Sequence, residues 1–332
     1  MTASIAFSSD VLRLDYTSEI DTLCGWIRET VHHTLKKKGV VLGLSGGIDS
    51  SVCAALCVRA LGSDKVFGLM MPEHDSADDS LSLADLLAEH LSMATEVENI
   101  APLLEGAGCY RRRDEAIKKI VPEYGPGYKS KIVLPNLLTE GGYRLFSVVV
   151  QAPDGTISKK RLPLHAYQTI VAATNFKQRC RKMMEYFHAD RLNFAVIGTP
   201  NRLEYDQGFF VKQGDGAADL KPIAHLYKSQ VYALAEALDV PEIIRHRPPT
   251  TDTYSMPQSQ EEFYFAVPYD VLDLCLYGKN HGIPADVVAP VVKLTVEQVE
   301  LVYGDIDSKR KATRYLHLAP QVAVDFPELH AE

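Results

Sequence analysis

Residues 40–62, VVLGLSGGIDSSVCAALCVRALG, run from a β-branched apolar stretch through a loop of small residues into a helical pattern that ends at Gly62. A strand, a glycine-rich loop and a helix in this order are typical of a phosphate-binding turn. The loop is not the GxxxxGK[ST] sequence of an NTPase P-loop, because it lacks the lysine that reaches the β- and γ-phosphates. The stretch therefore predicts an α/β fold that binds phosphates for a different reaction.

The small residues of this loop each have a physical use. The glycine pair at 46–47 permits a sharp turn that brings backbone N–H groups close to an anion. Asp49 can hold Mg²⁺ against phosphates, although it could also simply cap the helix that begins near Ser50. Such a loop suits a departing pyrophosphate better than a transferred γ-phosphoryl group. Three serines add hydroxyl donors: Ser45, Ser50 and Ser51.

Strand-like and helical patterns alternate beyond the loop. This alternation predicts a doubly wound parallel sheet with helices on both faces. An amphipathic helix from about 18 to 38, capped by Thr17 or Ser18, is expected before the first strand. The strand-like runs are VVLGL (40–44), VFGLMM (66–71) and NFAVIG (193–198), and helical patterns occupy 50–61, 79–91 and 168–188.

Three loops follow the three predicted strands. They are the SGG loop, MPEHDS (71–76) and GTPNRLE (198–204). Because ligands of parallel sheets bind beyond the carboxyl ends of the strands, we expect these loops to meet at one edge.

Composition narrows the class of protein. The 332 residues are 46% hydrophobic, and 35 basic against 43 acidic side chains give a net charge of −8, which gives little support to nucleic-acid binding. No stretch is long and apolar enough to span a bilayer, and the N-terminus lacks the features of a signal peptide. We therefore expect a cytoplasmic protein without a membrane partner. The six cysteines have no CxxC pair, which argues against a zinc module or a disulfide framework.

The sequence SGGIDSS (45–51) resembles the PP-loop of the N-type ATP pyrophosphatases. Members of that family cleave ATP between the α- and β-phosphates to adenylate a carboxylate or carbonyl group. The resemblance implies their adenine nucleotide alpha hydrolase-like α/β fold. The loop by itself does not distinguish the branches of the family.

The second half of the chain resembles one branch, the ammonia-dependent NAD synthetases. Residues 175–187 are similar to a helix with the pattern RxRM, and residues 196–241 are similar to GTxxxxE, GFFxKxGDGxxD and LxK in order. PTTD (249–252), QEE (260–262) and PYDVLD (268–273) continue the pattern. This ordered set of spacings is far more specific than any single motif.

The resemblance implies a reaction and a set of site residues. Nicotinate adenine dinucleotide (deamido-NAD) would be converted to NAD with Mg²⁺ and ATP, through an acyl-adenylate that ammonia attacks, with release of AMP and pyrophosphate. Asp49, Glu204 and Lys228 would be catalytic, and Asp49 and Glu204 would hold Mg²⁺. The implied ATP-binding residues are Gly43, Ser45, Gly46, Gly47, Asp49, Ser50, Ser51, Thr199, Lys228 and Thr250. The implied substrate-binding residues are Arg179, Lys212, Asp219 and Lys309.

Several positions depart from the family pattern on the substrate side. Ser308 stands where many members have His, Val211 where Thr is usual, and Arg247 near a common lysine position. Two alternatives stay open: a PP-loop ligase that amidates another carboxylate, and a nucleotide-binding regulator without catalysis. Asp215 in GDGAAD is either a turn former or a functional carboxylate.

We expect a single catalytic domain over residues 1–332, with a C-terminal helical region and an insert at 104–165 that the compact family pattern lacks. Within the insert, RLFSVVVQAPDGTISKKRLP (144–163) predicts a β-hairpin around Asp154 and Gly155. The insert could cover the substrate pocket, extend a subunit contact or have no role in catalysis.

The expected partners are small molecules and a second copy of the chain. The resemblance implies a homodimer whose substrate site takes residues from both subunits. The first helix with Trp26, the RxRM helix with Arg179 and Arg181, and the GFF sequence at 208–210 would supply the interface. No glutaminase region is visible in the sequence, so we expect ammonia to come from solution or from a separate partner.

Overall fold

The computed structural model contains a parallel sheet, a smaller antiparallel sheet and helices that cover them. It describes residues 7–77, 79–135, 137–138, 145–249, 253–265 and 267–324. The strands are β1 (Val40–Gly43), β2 (Val66–Met70), β3 (Ala94–Val97), β4 (Lys129–Val133), β5 (Ser147–Gln151), β6 (Ile157–Arg161) and β7 (Ala195–Val196). The helices are α1 (Tyr16–Glu29), α2 (Ile48–Leu61), α3 (Ser80–Leu91), α4 (Ala101–Gly106), α5 (Cys109–Lys118), α6 (Leu164–Leu192), α7 (Arg202–Gln207), α8 (Lys228–Ala237), α9 (Glu242–Arg245), α10 (Tyr269–Asn280), α11 (Ala285–Val292) and α12 (Val296–Thr313).

The larger sheet has the strand order β3-β2-β1-β7, and each pairing in it is parallel. Val40 of β1 pairs with Val66 of β2 on one side and with Ala195 of β7 on the other. Phe67 of β2 pairs with Ala94 of β3. The predicted parallel sheet is therefore confirmed.

The two outer strands differ most from the prediction. β7 is shorter than the apolar run at 193–198. Asn193 has a left-handed conformation (φ 55°) and is the C-cap of α6, so the strand begins only at Ala195. A bridge between Ile197 and Leu220 extends the pairing by one residue. β3 was not predicted, since its sequence ATEV is largely exposed and has no apolar run.

Alternate residues of β1 face opposite sides of the sheet. Val40 and Leu42 belong to a core cluster with residues of α1, α2, α3 and α8, whereas Val41 belongs to a cluster with residues of α4, α5 and α6. Helices therefore cover both faces, which confirms the doubly wound arrangement. Cys53 and Cys57 are fully buried free thiols on α2, as expected for a packed helix face.

The first helix begins and ends differently from the prediction. It starts at Tyr16, and its cap is Asp15, whose carboxylate accepts the N–H of Ser18, so the predicted cap at Thr17 or Ser18 is wrong. A π-helical turn, Thr30–Thr34, follows α1. The predicted end at 38 is also wrong, since Lys36 has φ 54° and leaves the helical path.

The predicted hairpin at 144–163 is confirmed for its described residues. β5 and β6 pair antiparallel, and Gly155 (φ 87°) lies in the turn between them. β4, which was not predicted, pairs antiparallel with the other side of β5. One face of this sheet packs on α5 and on the first half of α6 through Ile117, Val148 and Ile170.

The C-terminal region is helical, as predicted. α10, α11 and α12 share an apolar cluster that includes Leu276, Val288 and Val302. Leu203 of α7 and Tyr227 beside α8 join the same cluster, so the C-terminal helices pack against the starts of α7 and α8. Among the described residues, we find no helix with the length and apolar character needed to cross a membrane.

Candidate active site

The loops that follow β1, β2 and β7 meet at the carboxyl edge of the parallel sheet, as predicted. They border a cavity of about 510 Å³, and Ser45, Pro72 and Thr199 represent the three loops in its lining. α6 and residues 208–212 contribute to the lining as well. Ligands of doubly wound sheets bind at this edge, so the cavity is the candidate active site.

Gly46 sets the path of the loop between β1 and α2. Its φ is 70°, and a Cβ at this position would lie 2.7 Å from the carbonyl oxygen of Ser80. Only glycine fits here without a shift of the backbone. Gly47 is the N-cap of α2, which begins at Ile48 rather than near Ser50 as predicted. The loop thus places the N-terminus of a 14-residue helix at the cavity.

The serine hydroxyls of the loop bond within the loop. Ser45 Oγ lies 3.1 Å from Ser50 Oγ, and Ser50 Oγ and Ser51 Oγ donate to the Gly47 carbonyl oxygen at 3.0 and 2.8 Å. Ser45 and Ser50 line the cavity together with Gly43 and Gly47. Ser51 is fully buried and, like Gly46, is not part of the lining. Ser51 and Gly46 therefore shape the loop, and direct contact of either with ATP stays a prediction.

Asp49 forms a partly buried ion pair with Lys228 beside the loop. Lys228 Nζ lies 2.5 Å from Asp49 Oδ2, with the two side chains 2% and 17% exposed. The other carboxylate oxygen, Oδ1, accepts a hydrogen bond from Asn201 Nδ2 at 3.1 Å. The idea that Asp49 merely caps α2 is wrong, because the N-cap residue of α2 is Gly47.

Glu204 is held by two donors near this ion pair. It forms a capping box with Asn201 at the start of α7, in which Glu204 Oε2 accepts the N–H of Asn201 at 3.1 Å. Gln260 Nε2 donates to Glu204 Oε1 at 2.8 Å. Burial, together with the charge of Asp49, raises the pKa of Glu204 well above its ordinary value. Glu204 and Asp49 both line the cavity, and Asn201 bonds to each of them.

Lys228 is fixed at the first position of α8 by an acid on another helix. Asp273 of α10 accepts the N–H of Lys228 at 3.2 Å and the N–H of Ser229 at 2.7 Å. Burial raises the pKa of Asp273 to about 6. Burial lowers the pKa of Lys228, but the charges of Asp49 and Glu204 outweigh that effect and raise it above the ordinary value. Lys228 is therefore a firmly positioned cation.

Two predicted substrate residues, Arg179 and Lys212, also line the cavity. Arg179 Nε on α6 donates to the Lys212 carbonyl oxygen at 3.3 Å. Lys212 Nζ donates to the carbonyl oxygens of Tyr315 and Leu318 at 2.8 and 3.1 Å, so it bonds to the C-terminal segment of its own chain. Both residues lie at the cavity, and their contact with a substrate stays a prediction.

The remaining predicted residues lie elsewhere. Asp219 Oδ2 accepts the N–H of Val196 at 2.7 Å and is not part of the cavity lining. Lys309 on α12 pairs with Asp305 at 2.7 Å and is also outside the lining. Thr250 lies outside the described residues, so its role stays a prediction.

The positions that depart from the family pattern have distinct surroundings. Arg247 lines the cavity and pairs with Asp79 at 2.7 Å. Asp215 accepts the N–H of Val211 at 2.7 Å, which fits a turn former, although both residues also line the cavity. Burial raises the pKa of Asp215. Ser308 is exposed on α12.

Asn201 and Gln260 were not predicted as site residues. Asn201 lies three residues before Glu204, and the N-x-x-E spacing of a capping box could have indicated it. Gln260 is part of the QEE sequence, but its contact with Glu204 spans 56 positions and has no local signal.

Two buried lysines of α6 form ion pairs that also escaped prediction. Lys177 Nζ contacts Glu73 at 2.9 Å, Asp75 at 2.6 Å and the Thr253 carbonyl oxygen at 2.7 Å. It joins the loop after β2 to residues 253–265. One turn further along α6, Lys182 pairs with Glu185 at 2.6 Å, and burial raises the pKa of Glu185.

Comparison with known proteins finds a matching family and several similar proteins. The model of the family described as NAD synthase matches residues 19–121 and 148–313. A protein of Rhizobium meliloti (strain 1021) named NH(3)-dependent NAD(+) synthetase is 59% identical over 325 residues, which cover 98% of this chain and 97% of that protein. A protein of the same name from Thermotoga neapolitana is 36% identical, covering 78% and 83% of the two chains.

Solved structures of low sequence identity share the fold. An NH3-dependent NAD synthetase from Campylobacter jejuni, in complex with nitrate, has a TM-score of 0.61 and 23% identity, with 94% of this chain and 100% of that chain covered. An NMN synthetase from Francisella tularensis has a TM-score of 0.60, 23% identity and the same coverage. At this identity the likeness establishes the fold only.

Proposed function

Because the chain belongs to the NAD synthase family, we propose that Asp49, Glu204 and Lys228 form the centre of its amidation site. The chain converts deamido-NAD to NAD with ammonia and consumes ATP. One observation carries the assignment of residues: Lys228 and Asn201 each bond to Asp49, and Asn201 also holds Glu204. The three predicted catalytic groups thus form one connected cluster beside the glycine loop.

The ATP phosphates lie against the loop between β1 and α2. The glycine turn, the hydroxyls of Ser45 and Ser50 at the cavity, and the N-terminus of α2 support this position. The nicotinate carboxylate oxygen bonds to Pα, and the bond from Pα to the pyrophosphate oxygen breaks. Lys228 neutralises charge that develops on the departing pyrophosphate. Thr199, on the loop after β7, and Thr250 complete the ATP site.

Ammonia then attacks the carbonyl carbon of the acyl-adenylate. The new C–N bond forms while the bond from that carbon to the AMP oxygen breaks, and the surplus proton passes to solvent or to AMP. No side-chain nucleophile is needed, because holding two reactants in position supplies much of the rate.

Asp49 and Glu204 would hold Mg²⁺. Carboxylate oxygens are the ligands that this hard cation prefers. The charge of Asp49 contributes to the raised pKa of Glu204, so the two groups are close enough to repel, and a cation would relieve that repulsion. When bound, Mg²⁺ neutralises phosphate charge as ATP is cleaved.

The dinucleotide substrate binds along the part of the lining that α6 and residues 208–212 form, here termed the substrate wall. Arg179 and Lys212 supply positive charge at the cavity for its phosphates. Asp219 and Lys309 are part of the same proposal, and they reach the substrate after a local rearrangement or through a second subunit, since neither lines the cavity.

The chain acts as a cytoplasmic homodimer with a single catalytic domain and an insert at 104–165. Support for the dimer comes from large apolar side chains left at the surface. Met183 and Phe187 on α6 are 52% and 56% exposed, and Trp26 on α1 is 43% exposed. A cyclic dimer is the commonest symmetric assembly and would cover such faces.

Release of pyrophosphate and AMP from ATP with ammonium tests the proposal. It is measured with deamido-NAD, then with nicotinate mononucleotide and a panel of other carboxylates, since the fold also occurs in a protein described as an NMN synthetase. We expect turnover with deamido-NAD to exceed that with each alternative by at least about a hundredfold. Formation of ADP and phosphate, or equal turnover with another carboxylate, would contradict it.

A further inference from the structure

The strand β4 binds a second part of the chain on the edge that β5 leaves open. Residues 253–265, here termed the docked segment, run along β4. Two backbone hydrogen bonds join them, from Met256 N–H to the Ser130 carbonyl oxygen (3.2 Å) and from Leu134 N–H to the Glu262 carbonyl oxygen (3.2 Å). The N–H of Ser130 also donates to the side-chain Oγ of Ser255 (2.9 Å). The docked segment is thus attached to β4 near the start and near the end of the strand.

Side chains of β4 reinforce this attachment. Lys131 Nζ pairs with Glu262 at 2.7 Å and donates to the Pro257 carbonyl oxygen at 3.2 Å. Met256 packs in a small apolar cluster with Val133 and Val149 on the face of the antiparallel sheet. Polar and apolar contacts therefore both hold residues 256–262 of the docked segment against the antiparallel sheet.

The other side of the docked segment faces the active site. Gln260 Nε2 donates to Glu204 Oε1 at 2.8 Å. Tyr264 donates to the Gln207 carbonyl oxygen at 2.7 Å, and its ring stacks on Phe209 with centroids 4.7 Å apart. The segment is therefore a bridge from β4 to the helix that carries Glu204.

We propose that Gln260 is a positioning residue for Glu204, and that β4 holds Gln260 in place through the docked segment. The proposal rests on the assignment of Glu204 to the amidation site made above. It gives a role to a part of the chain that the NAD synthase family model leaves unmatched, since β4 lies between its two matched ranges, 19–121 and 148–313.

The charge and burial of Glu204 explain why a neutral donor is needed. The carboxylate is desolvated, and Oε2 accepts the N–H of Asn201 while Oε1 accepts from Gln260. Loss of one donor would leave a buried carboxylate oxygen without that hydrogen bond and free the group to turn away from Asp49. A cation at position 260 would instead pair with Glu204 and compete with a bound metal, so an amide suits this place.

Gln260→Ala tests the positioning role. We expect kcat to fall about tenfold while KM for ATP changes less than about threefold, because the lost interaction acts on the reacting geometry. The same substitution is also made in a Glu204→Asp background, where the carboxylate is one methylene shorter and no longer meets Gln260. There its effect on kcat should fall below twofold. A kcat within twofold of wild type, or a tenfold loss that persists beside Glu204→Asp, would overturn the proposal.

Lys131→Met tests the attachment to β4, with Lys129→Met on the same strand as the matched control. Hydrogen exchange of the free protein should accelerate at least about tenfold at residues 255–262 in Lys131→Met, and kcat should fall, while Lys129→Met changes both less than twofold. Gln260→Ala should leave exchange in the docked segment unchanged. Equal exchange in the two lysine variants would overturn the role of β4. If Glu204→Gln itself turns over normally, the assignment of Glu204 fails instead, which separates the two ideas.

Discussion

The two walls of the cavity differ in how their functional side chains are held. On the wall proposed to bind ATP, here termed the ATP wall, Lys228 bonds to Asp49, and Asn201 bonds to both Asp49 and Glu204. Asp49, Glu204 and Lys228 all lie in the first turns of helices. On the substrate wall, Arg179 and Lys212 bond to carbonyl oxygens of their own chain, and Lys212 is tied to the C-terminal segment. The charged side chains of the ATP wall pair with one another before any ligand binds. The cations of the substrate wall instead donate hydrogen bonds to backbone carbonyl oxygens.

This difference indicates two ways to build a charged site. Buried charges need partners at all times, because an unpaired buried charge is costly, so the ATP wall must carry its own compensation. Half-exposed cations can bond to carbonyl oxygens and exchange those bonds for a substrate at little cost. Substitutions on the ATP wall should therefore have the larger effects.

The largest effect is expected for Lys228→Met. It removes the cation that interacts with the carboxylates of Asp49 and Glu204, so kcat should fall roughly a thousandfold. Stability should fall by about 3 to 5 kcal/mol, as for a buried pair that loses one member. Urea unfolding and steady-state kinetics measure both. Lys279→Met, which breaks an exposed pair with Asp307, should cost only about 0 to 1 kcal/mol. Similar losses in the free energy of unfolding of the two variants would contradict the expected difference between a buried and an exposed ion pair.

Asp49→Asn and Glu204→Gln should each lower turnover by at least about a hundredfold, if each removes a charge that faces the metal. The fold should persist, because both replacements keep the shape of the side chain, and circular dichroism checks this. Asp64→Asn, at an exposed pair with Lys65, is the control and should turn over normally. Near-normal rates of either site variant at saturating Mg²⁺ would show that its carboxylate is only structural.

The phosphate loop could be predicted from the sequence because its bonds are local. Ser50 and Ser51 bond to Gly47, and Ser45 bonds to Ser50, so the hydrogen bonds of the turn join residues within the seven-residue sequence 45–51. The parallel sheet followed from apolar runs on buried strands. β3 escaped prediction because its largely exposed sequence ATEV has no apolar run. β4 escaped it because KSKIV has only two apolar residues, although three of its five residues are buried.

Contacts between distant positions could not be predicted from the residues alone. Asn201 and Asp49 are 152 positions apart, and only the fold brings them to 3.1 Å. Lys177 meets Glu73 across 104 positions in the same way. The family resemblance supplied Glu204 and Lys228, since spacing by itself assigns neither residue to the loop. The side chains that orient the catalytic groups are therefore the part that sequence reasoning missed.

Gly46→Ala separates the shape of the phosphate loop from general backbone strain. The new Cβ would lie 2.7 Å from the Ser80 carbonyl oxygen at a φ of 70°, so the loop must move, and kcat/KM for ATP should fall about tenfold. Gly155→Ala is the control, because that turn has φ 87° but no atom within 4 Å of the added Cβ. It should lower stability by about 1 kcal/mol through the left-handed backbone and leave kinetics unchanged. Equal kinetic effects would mean that the loop tolerates displacement.

The smallest effect is expected for Lys212→Ala on the substrate wall. Lys212 Nζ already bonds to the carbonyl oxygens of Tyr315 and Leu318, so binding of the dinucleotide exchanges these bonds instead of creating a new charge contact from water. A net hydrogen bond contributes about 1 kcal/mol, so KM for deamido-NAD should rise about fivefold, with KM for ATP unchanged. Steady-state kinetics at saturating ATP measure this, with exposed Lys311→Ala as the control. A rise of a hundredfold or more in KM for deamido-NAD would show that the loss of Lys212 has an effect as large as that expected at the ATP wall. The contrast between the two walls would then disappear.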